Sequence, residues 1–475
     1  MRKGIIYFIT IISMFLHVYS TPIAIAKTSG NIIDEREYPK SSDVLPNTDT
    51  NSNIVISGSV DKNVNLDLNT CIYLALGNNP RISSAFNDIL ASDARIKQVW
   101  ANYFPTWSWQ TGYTRLRQLQ LSDALGRNLE FNYYLLGQIS LQQMLYDFGV
   151  TQNQATIRKL DYENFKKVFE ATVNDVIFQT KSSYFTVLYA YENKKVAQDS
   201  VDKFSRFYKQ AKAYYRTGRS PKVDVTIAET NLSNAKLKLI QAENSVNIAI
   251  ANLNYAMGLP YLKSYVISER LEYKPLDLSF EEMIEFARES RPELKQAEIK
   301  VEQMNQTIKL AKKSYFPTLS LEGQYQRGGR SWNSNYGFNI GGYLTFPAVN
   351  MMLVRNEIRE AKYLYDKELA NAKNTQHNIY LELQKAYLKL LEKKNQLPVA
   401  QLQEKQANEN FNLSFKMYGV GVGSPSEVKD AEITYENAQL TYYSSIYEYN
   451  LAKAELEKAI GRNLCQNDDY ISLSK

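Results

Sequence analysis

Residues able to make or break bonds are scarce in this 475-residue chain, and they do not gather. One of its two histidines, His17, lies in the N-terminal segment that reads as a signal peptide, and the other, His377, stands alone in a helical pattern as a surface or packing residue. No His or Cys group has metal-ligand spacing, no glycine-rich loop leads from strand to helix, and the acidic residues disperse along polar helix faces, so the pattern excludes an enzyme and offers no cofactor or metal site. The 35 tyrosines fall on periodic positions and read as packing residues. Cys71 and Cys465 occupy non-equivalent places, and a disulfide and two buried thiols both stay open.

The charged chemistry that remains lies beside two turns, Thr217-Gly218-Arg219-Ser220-Pro221 and Val420-Gly421-Val422-Gly423-Ser424-Pro425. In both, Ser followed by Pro predicts a helix N-cap with proline at the first helical position, and Ser424 with Glu427 has capping-box spacing. Asp224 and Glu427 then fall in a first helical turn, where the helix dipole favours a carboxylate whatever else it does. Asp430 lies one turn further on, and its counterpart after the first turn is Ile227.

These two turns belong to a duplication. Leu66, Leu68, Ile72, Ala75, Pro80 and Tyr103-Phe104-Pro105-Thr106 recur as Leu278, Phe280, Ile284, Ala287, Pro292 and Tyr315-Phe316-Pro317-Thr318, always 212 residues later. Further on, Tyr215, Gly218, Ala228, Leu253 and Gly258 recur as Tyr418, Gly421, Ala431, Leu456 and Gly461, 203 residues later. The first copy therefore carries nine extra residues, expected as a loop near Leu119–Glu130. The repeats are read as 64–262 and 263–462.

Arg2 and Lys3, an apolar run from Ile5 to Leu16, and Ala24 and Ala26 at the cleavage positions predict a signal peptide over 1–26. Residues 27–63 are too polar to bury a core and read as a flexible leader, and 463–475 form a tail. The net charge is +6, or +4 without Arg2 and Lys3, and it is scattered, which argues against a nucleic-acid partner. Beyond the signal no apolar stretch reaches the ~18 to 20 residues of a membrane-spanning helix, so any crossing must use strands.

Within each copy, helical spacing gives way to alternation with period two. Trp107, Trp109, Thr111 and Tyr113 oppose Ser108, Gln110, Gly112 and Thr114, and Tyr133 to Leu141 repeat the pattern, giving a hairpin over about 105–145. Leu319 to Tyr325 and Tyr336 to Leu344 give a second hairpin over about 317–346. Strands of about ten residues, apolar on one face and small or polar on the other, suit a transmembrane barrel wall, and an ordinary half-buried sheet shares the pattern. Four strands do not close a barrel, since about eight is the minimum, so other chains are needed. Each hairpin precedes a helical pattern of unusual length, Val150 to Tyr215 and Leu353 to Tyr418, interrupted by proline at Pro398 alone. Phe169, Val173, Val176, Thr180, Tyr184, Val187 and Tyr191 form its coiled-coil seam. Two antiparallel helical hairpins result, with tips near 218 and 421.

In its duplication, its Tyr-Phe-Pro strand entries, its Tyr146-Asp147-Phe148-Gly149 exit and its Tyr-x-x-Gly tips, the chain from about Leu66 to Arg462 resembles the TolC-type outer membrane efflux and secretion duct family. The resemblance implies an α plus transmembrane β fold: a homotrimer whose four strands per chain form a 12-stranded β-barrel in outer membrane lipid, continued by an α-helical tunnel across the periplasm. It implies passive conduction from an inner-membrane transporter through a periplasmic adaptor, in efflux or type I secretion. By register Asp224, Glu427 and Asp430 fall on acidic gate positions, Tyr418 on a gate tyrosine, and Gly218 and Gly421 on adaptor-docking tips. Gly423 stands where one well-known member of the family places an arginine, which puts a salt-bridge lock in doubt. The cargo, whether drug, metal or protein, is not written in the chain, and an exported coiled-coil scaffold without channel activity is the alternative.

Overall fold

The structure is a computed structural model that describes residues 66–122, 128–259, 267, 270–273, 275–276, 279–329, 335–347 and 351–461. The expected signal peptide, leader, tail and Cys465 lie outside the described residues. Each repeat runs helix, helix, hairpin, long helix, return helix. In the first these are α1 (Leu68–Asn78), α2 (Pro80–Trp100), β1 (Thr106–Ser122), β2 (Asn128–Tyr146), α3 (Val150–Arg216) and α4 (Lys222–Ala256). In the second they are α5 (Phe280–Ser290), α6 (Pro292–Lys313), β3 (Thr318–Gly329), β4 (Asn335–Thr345), α7 (Met351–Val420) and α8 (Pro425–Ile460).

The four strands make one antiparallel sheet in the order β1-β2-β3-β4, so β2 and β3 join the repeats while β1 and β4 each keep an unpaired edge within the chain. Register sorts the side chains into rows. Trp109, Ile139, Tyr325 and Phe338 lie side by side across the sheet, as do Trp107, Leu141, Gly323 and Ile340. The rows between them are polar: Ser108, Ser140, Gln324 and Asn339, then Gln110, Gln138, Gln326 and Gly337. Successive residues point to opposite faces, so one face is aromatic and aliphatic and the other is hydroxyl and amide. On the apolar face Trp107, Trp109, Phe338 and Ile340 are 64–76% exposed, which places them against lipid rather than a protein core. Register shifts between Gln110 and Gly112 and between Leu135 and Gly137 break the alternation predicted through Tyr113 and Tyr133.

Of the loop expected near Leu119–Glu130, residues 123–127 lie outside the described residues, and those on either side of them are strand. β1 reaches Ser122 and β2 resumes at Asn128, so these strands are 17 and 19 residues long against 12 and 11 for β3 and β4. Both strands of the first hairpin exceed the roughly 9 to 11 residues that cross a bilayer.

The turn from β2 into α3 is built around Asp147. Phe148 and Gly149 are both left-handed, with φ of 53° and 81°, which folds the backbone back over the carboxylate. Asp147 accepts from the Tyr103 hydroxyl at 2.7 Å, from Gly149 N–H at 3.0 Å and from Thr151 N–H at 2.6 Å. Burial pushes its carboxyl up, but the hydrogen bonds from Thr151, Tyr103 and Gly149 outweigh burial and hold it below the ordinary value.

The long helices α3 and α7 have 67 and 70 residues, each ~100 Å at 1.5 Å per residue. α7 continues through Pro398. Along α3, Val176, Thr180, Tyr184 and Val187 are fully buried as the seam requires, while Tyr191 lies at its exposed margin. Among the described residues no helix is long and apolar enough to cross a membrane.

The repeated Pro and Gly positions meet in space. Asn79 caps α2 by accepting from Arg81 N–H at 3.0 Å and donates to the Ala256 carbonyl at 2.9 Å. Beside it, Gly258 has φ +73°, and a Cβ there would come within 2.5 Å of the Asn78 carbonyl oxygen. The second repeat does the same at Gly461, φ +80°, against Ser290 before Pro292. Glycine at these points lets each return helix close onto the bend between its repeat's first two helices.

Candidate functional site

The two hairpin tips pack against each other at one end of the helical region. Their core joins Phe204, Phe207 and Ala211 of α3, Ala228 of α4, Phe411 and Tyr418 of α7, and Val428, Ala431 and Tyr435 of α8. The ends close with the same device. Gly218, φ +74°, lets Arg219 N–H reach the Tyr214 carbonyl at 2.9 Å, and Gly421, φ +88°, lets Val422 N–H reach the Met417 carbonyl at 3.0 Å. Both are six-to-one helix closures with a left-handed glycine.

The helices that follow start differently. Ser424 caps α8 as predicted: its hydroxyl accepts from Glu427 N–H at 3.2 Å, and Glu427 Oε2 accepts from Ser424 N–H at 3.0 Å. The parallel prediction for Ser220 fails. Pro221 takes the cap position of α4, and the buried Ser220 hydroxyl makes no hydrogen bond with any described residue. The first tip lacks a glutamate three residues beyond its serine, Val223 standing there, so no reciprocal bond holds Ser220 in place.

Tyr418 is 5% exposed, with its ring 5.2 Å from Phe207 and 5.7 Å from Tyr214. Burial first, then the nearby Asp224 charge, pushes its phenol up, so it stays protonated. Asp224 of α4 thus lies near enough to Tyr418 of α7 for its charge to act on the phenol. Glu427 is exposed and occupied with capping, and Asp430 is exposed with its nearest cation, Lys429, 3.7 Å away. Among the described residues, Glu427 and Asp430 form no ion pair with the other hairpin.

Sequence reasoning missed the contacts that bind tip to tip. The Tyr214 hydroxyl donates to the Gly419 carbonyl at 2.9 Å and accepts from Gln210. The Arg219 guanidinium lies 5.0 Å over the Tyr214 ring and 3.7 Å from where a Gly421 Cβ would stand. Gly423 is hemmed by the backbone, a Cβ there lying 3.0 Å from Tyr418 N, so a larger residue at this place would crowd the turn. Gly218 has open space around it. Apolar Val223, Val420 and Val422 are 64–75% exposed beside the tips. His377 is exposed on α7.

A sheet with one lipid-facing and one wet face, joined to helices far longer than a globule needs, defines a membrane duct. Residues 71–259 and 283–462 match the family model described as outer membrane efflux protein, in two blocks that follow the two repeats, and the chain belongs to that family. It is 25% identical over 316 residues to the outer membrane protein TolC of Vibrio cholerae, covering 62% of this chain and 69% of that one. It is 22% identical over 273 residues to the protein CyaE of Bordetella pertussis, covering 56% of each. The crystal structure of the Campylobacter jejuni CmeC outer membrane channel superposes with a TM-score of 0.69 at 18% identity, covering 89% of this chain and 94% of that one. The chain is an outer membrane channel of the TolC type with a periplasmic helical extension, which decides against a scaffold without channel activity.

Proposed function

We propose that this channel is the passive exit duct of a tripartite assembly, a homotrimer that receives cargo from an inner-membrane transporter through a periplasmic adaptor. The separation of the sheet into apolar and polar rows carries the reading: three four-stranded sheets joined edge to edge give twelve strands around a wet lumen. The trimer is further supported by apolar residues on α7 that the chain leaves uncovered, among them Tyr363, Leu388, Val399 and Leu402. The periplasmic end closes at the tips, with Tyr418 packed inside and Asp224, Glu427 and Asp430 repeated three times around the axis. Such rings attract cations and repel anions. Gly218 and Gly421, beside exposed Val223, Val420 and Val422, receive the adaptor, because small residues permit close helix approach.

The test is single-channel recording of the purified trimer in planar bilayers. Small, cation-preferring steps are expected, and Asp224→Ala, Glu427→Ala and Asp430→Ala together should remove the preference and enlarge the steps. Unchanged selectivity and conductance would refute the acidic gate. For docking, Gly218→Leu should weaken crosslinking to the adaptor in a trimer that still assembles.

A further inference from the structure

Glu432 of α8 is 1% exposed, inside the seam where the first helical hairpin packs against the second. A glutamate so placed ordinarily carries its own hydrogen bonds. Here neither carboxylate oxygen makes one with any described residue. The facing cation is Lys203 of α3, whose Nζ stands 3.3 Å from Oε1 as an ion pair. That ammonium is shared, lying 4.1 Å over the Tyr435 ring and 5.1 Å over the Phe411 ring.

The remaining charged groups around Glu432 come from every helix of the seam. From α3, Asp199 repels it; from α8, Glu436 repels it, although Lys238 of α4 holds Glu436 at 2.8 and 2.9 Å. From α7, Glu404 acts on the neighbouring Tyr435. One partly engaged lysine thus faces a buried carboxylate with two acidic neighbours.

We propose that Glu432 is a proton switch between the two helical hairpins: protonated, it lets the tips stay packed, and ionised, it favours a separated seam that admits water. This rests on the reading of the tips as a gate. Burial is the largest influence on Glu432 and Lys203 offsets it only in part, so its carboxyl is pushed up to about 7 from an ordinary 4.5. A group whose value is raised in the packed state stabilises that state fully below its value in water and loses the contribution as pH rises through the raised value. The window therefore runs from about pH 4.5 to about 7, with acid closing the seam. Across it the separated-to-packed ratio should rise on the order of tenfold to a hundredfold per chain.

Hydrogen exchange of the full-length trimer, corrected for intrinsic rates, measures this at residues 197–207 and 428–438. At least a tenfold loss of protection is expected between pH 5.5 and 8. Glu432→Gln should hold the acid level of protection at both pH values, and Lys203→Met should move the loss to higher pH. Protection independent of pH in the unaltered protein, or an undiminished pH response in Glu432→Gln, overturns the switch. If Glu432→Gln fails to assemble, the unaltered protein and Lys203→Met decide, and an unshifted loss in Lys203→Met counts against it. Bilayer recordings separate the two readings. A conducting trimer with a pH-independent seam refutes the switch alone, and a trimer that never conducts refutes the duct while the exchange result stands.

Discussion

Replacing Asp147 tests the joint between barrel and helices most directly. Its carboxylate is 2% exposed and accepts from the Tyr103 hydroxyl, Gly149 N–H and Thr151 N–H. Each hydrogen bond to a charged group contributes about 1.5–3 kcal/mol, and bonds sharing one acceptor do not add fully. Asp147→Ala should therefore destabilise the start of α3 by about 3 kcal/mol, and Asp147→Asn, which keeps one acceptor oxygen, by roughly half of that. Since ~1.4 kcal/mol is tenfold, local opening should rise by roughly a hundredfold in Asp147→Ala. Exchange of the Gly149 and Thr151 amides, followed by mass spectrometry on the assembled protein, reads this out. The carboxyl is held below its ordinary value, so its contribution is present above that value and is lost as pH falls through the lowered one. The joint should keep full protection at neutral pH and weaken only below about pH 4. Protection within twofold of the unaltered protein in Asp147→Ala would show that the left-handed turn holds itself and that the carboxylate account is wrong.

Three further outcomes follow from packing. The Tyr418 hydroxyl is buried without a hydrogen bond to any described residue, so Tyr418→Phe should leave thermal stability unchanged or raise it by up to ~1 kcal/mol; a clear loss would mean that the hydroxyl finds a partner in the assembled trimer. Gly258→Ala adds a Cβ 2.5 Å from the Asn78 carbonyl oxygen at a positive φ and should cost about 2–4 kcal/mol, whereas Gly218→Ala, with open space, should cost only about 1 kcal/mol, compared by denaturant melting. Lys181 and Glu457 meet at 2.5 Å with side chains 5% and 6% exposed, so Lys181→Met should cost about 3–5 kcal/mol and pairing it with Glu457→Gln should recover much of that.

How far the sequence reaches depends on the range of the interaction that decides each feature. Alternation along β3 and β4, heptad spacing in α3 and the Ser424-Glu427 box are local, and the structure follows them. The bulges near Gly112 and Gly137 and the reach of β1 to Ser122 and of β2 back to Asn128 depend on pairing across the sheet, which one strand's pattern does not encode. Ser220 resembled Ser424 in isolation, but the missing glutamate changed the outcome. At the tips, Asp224 and Tyr418 were legible as positions, while Arg219 reaching over Tyr214 towards Gly421 requires both hairpins in place. Glu432 did leave a trace: it falls on the stripe of Val428, Ala431, Tyr435 and Ala438, where a carboxylate on a buried helix face is a signal in its own right.

The free edges of β1 and β4 carry a genetic implication. If a subunit completes its sheet only by pairing with two others, an altered copy that still offers both edges enters assemblies made mostly of sound copies. With equal amounts of sound and altered chain mixing at random into trimers, only about one assembly in eight is wholly sound. Substitutions at the tips should therefore behave as dominant in cells expressing both forms, whereas substitutions that destroy an edge should be recessive, because such chains never join the ring.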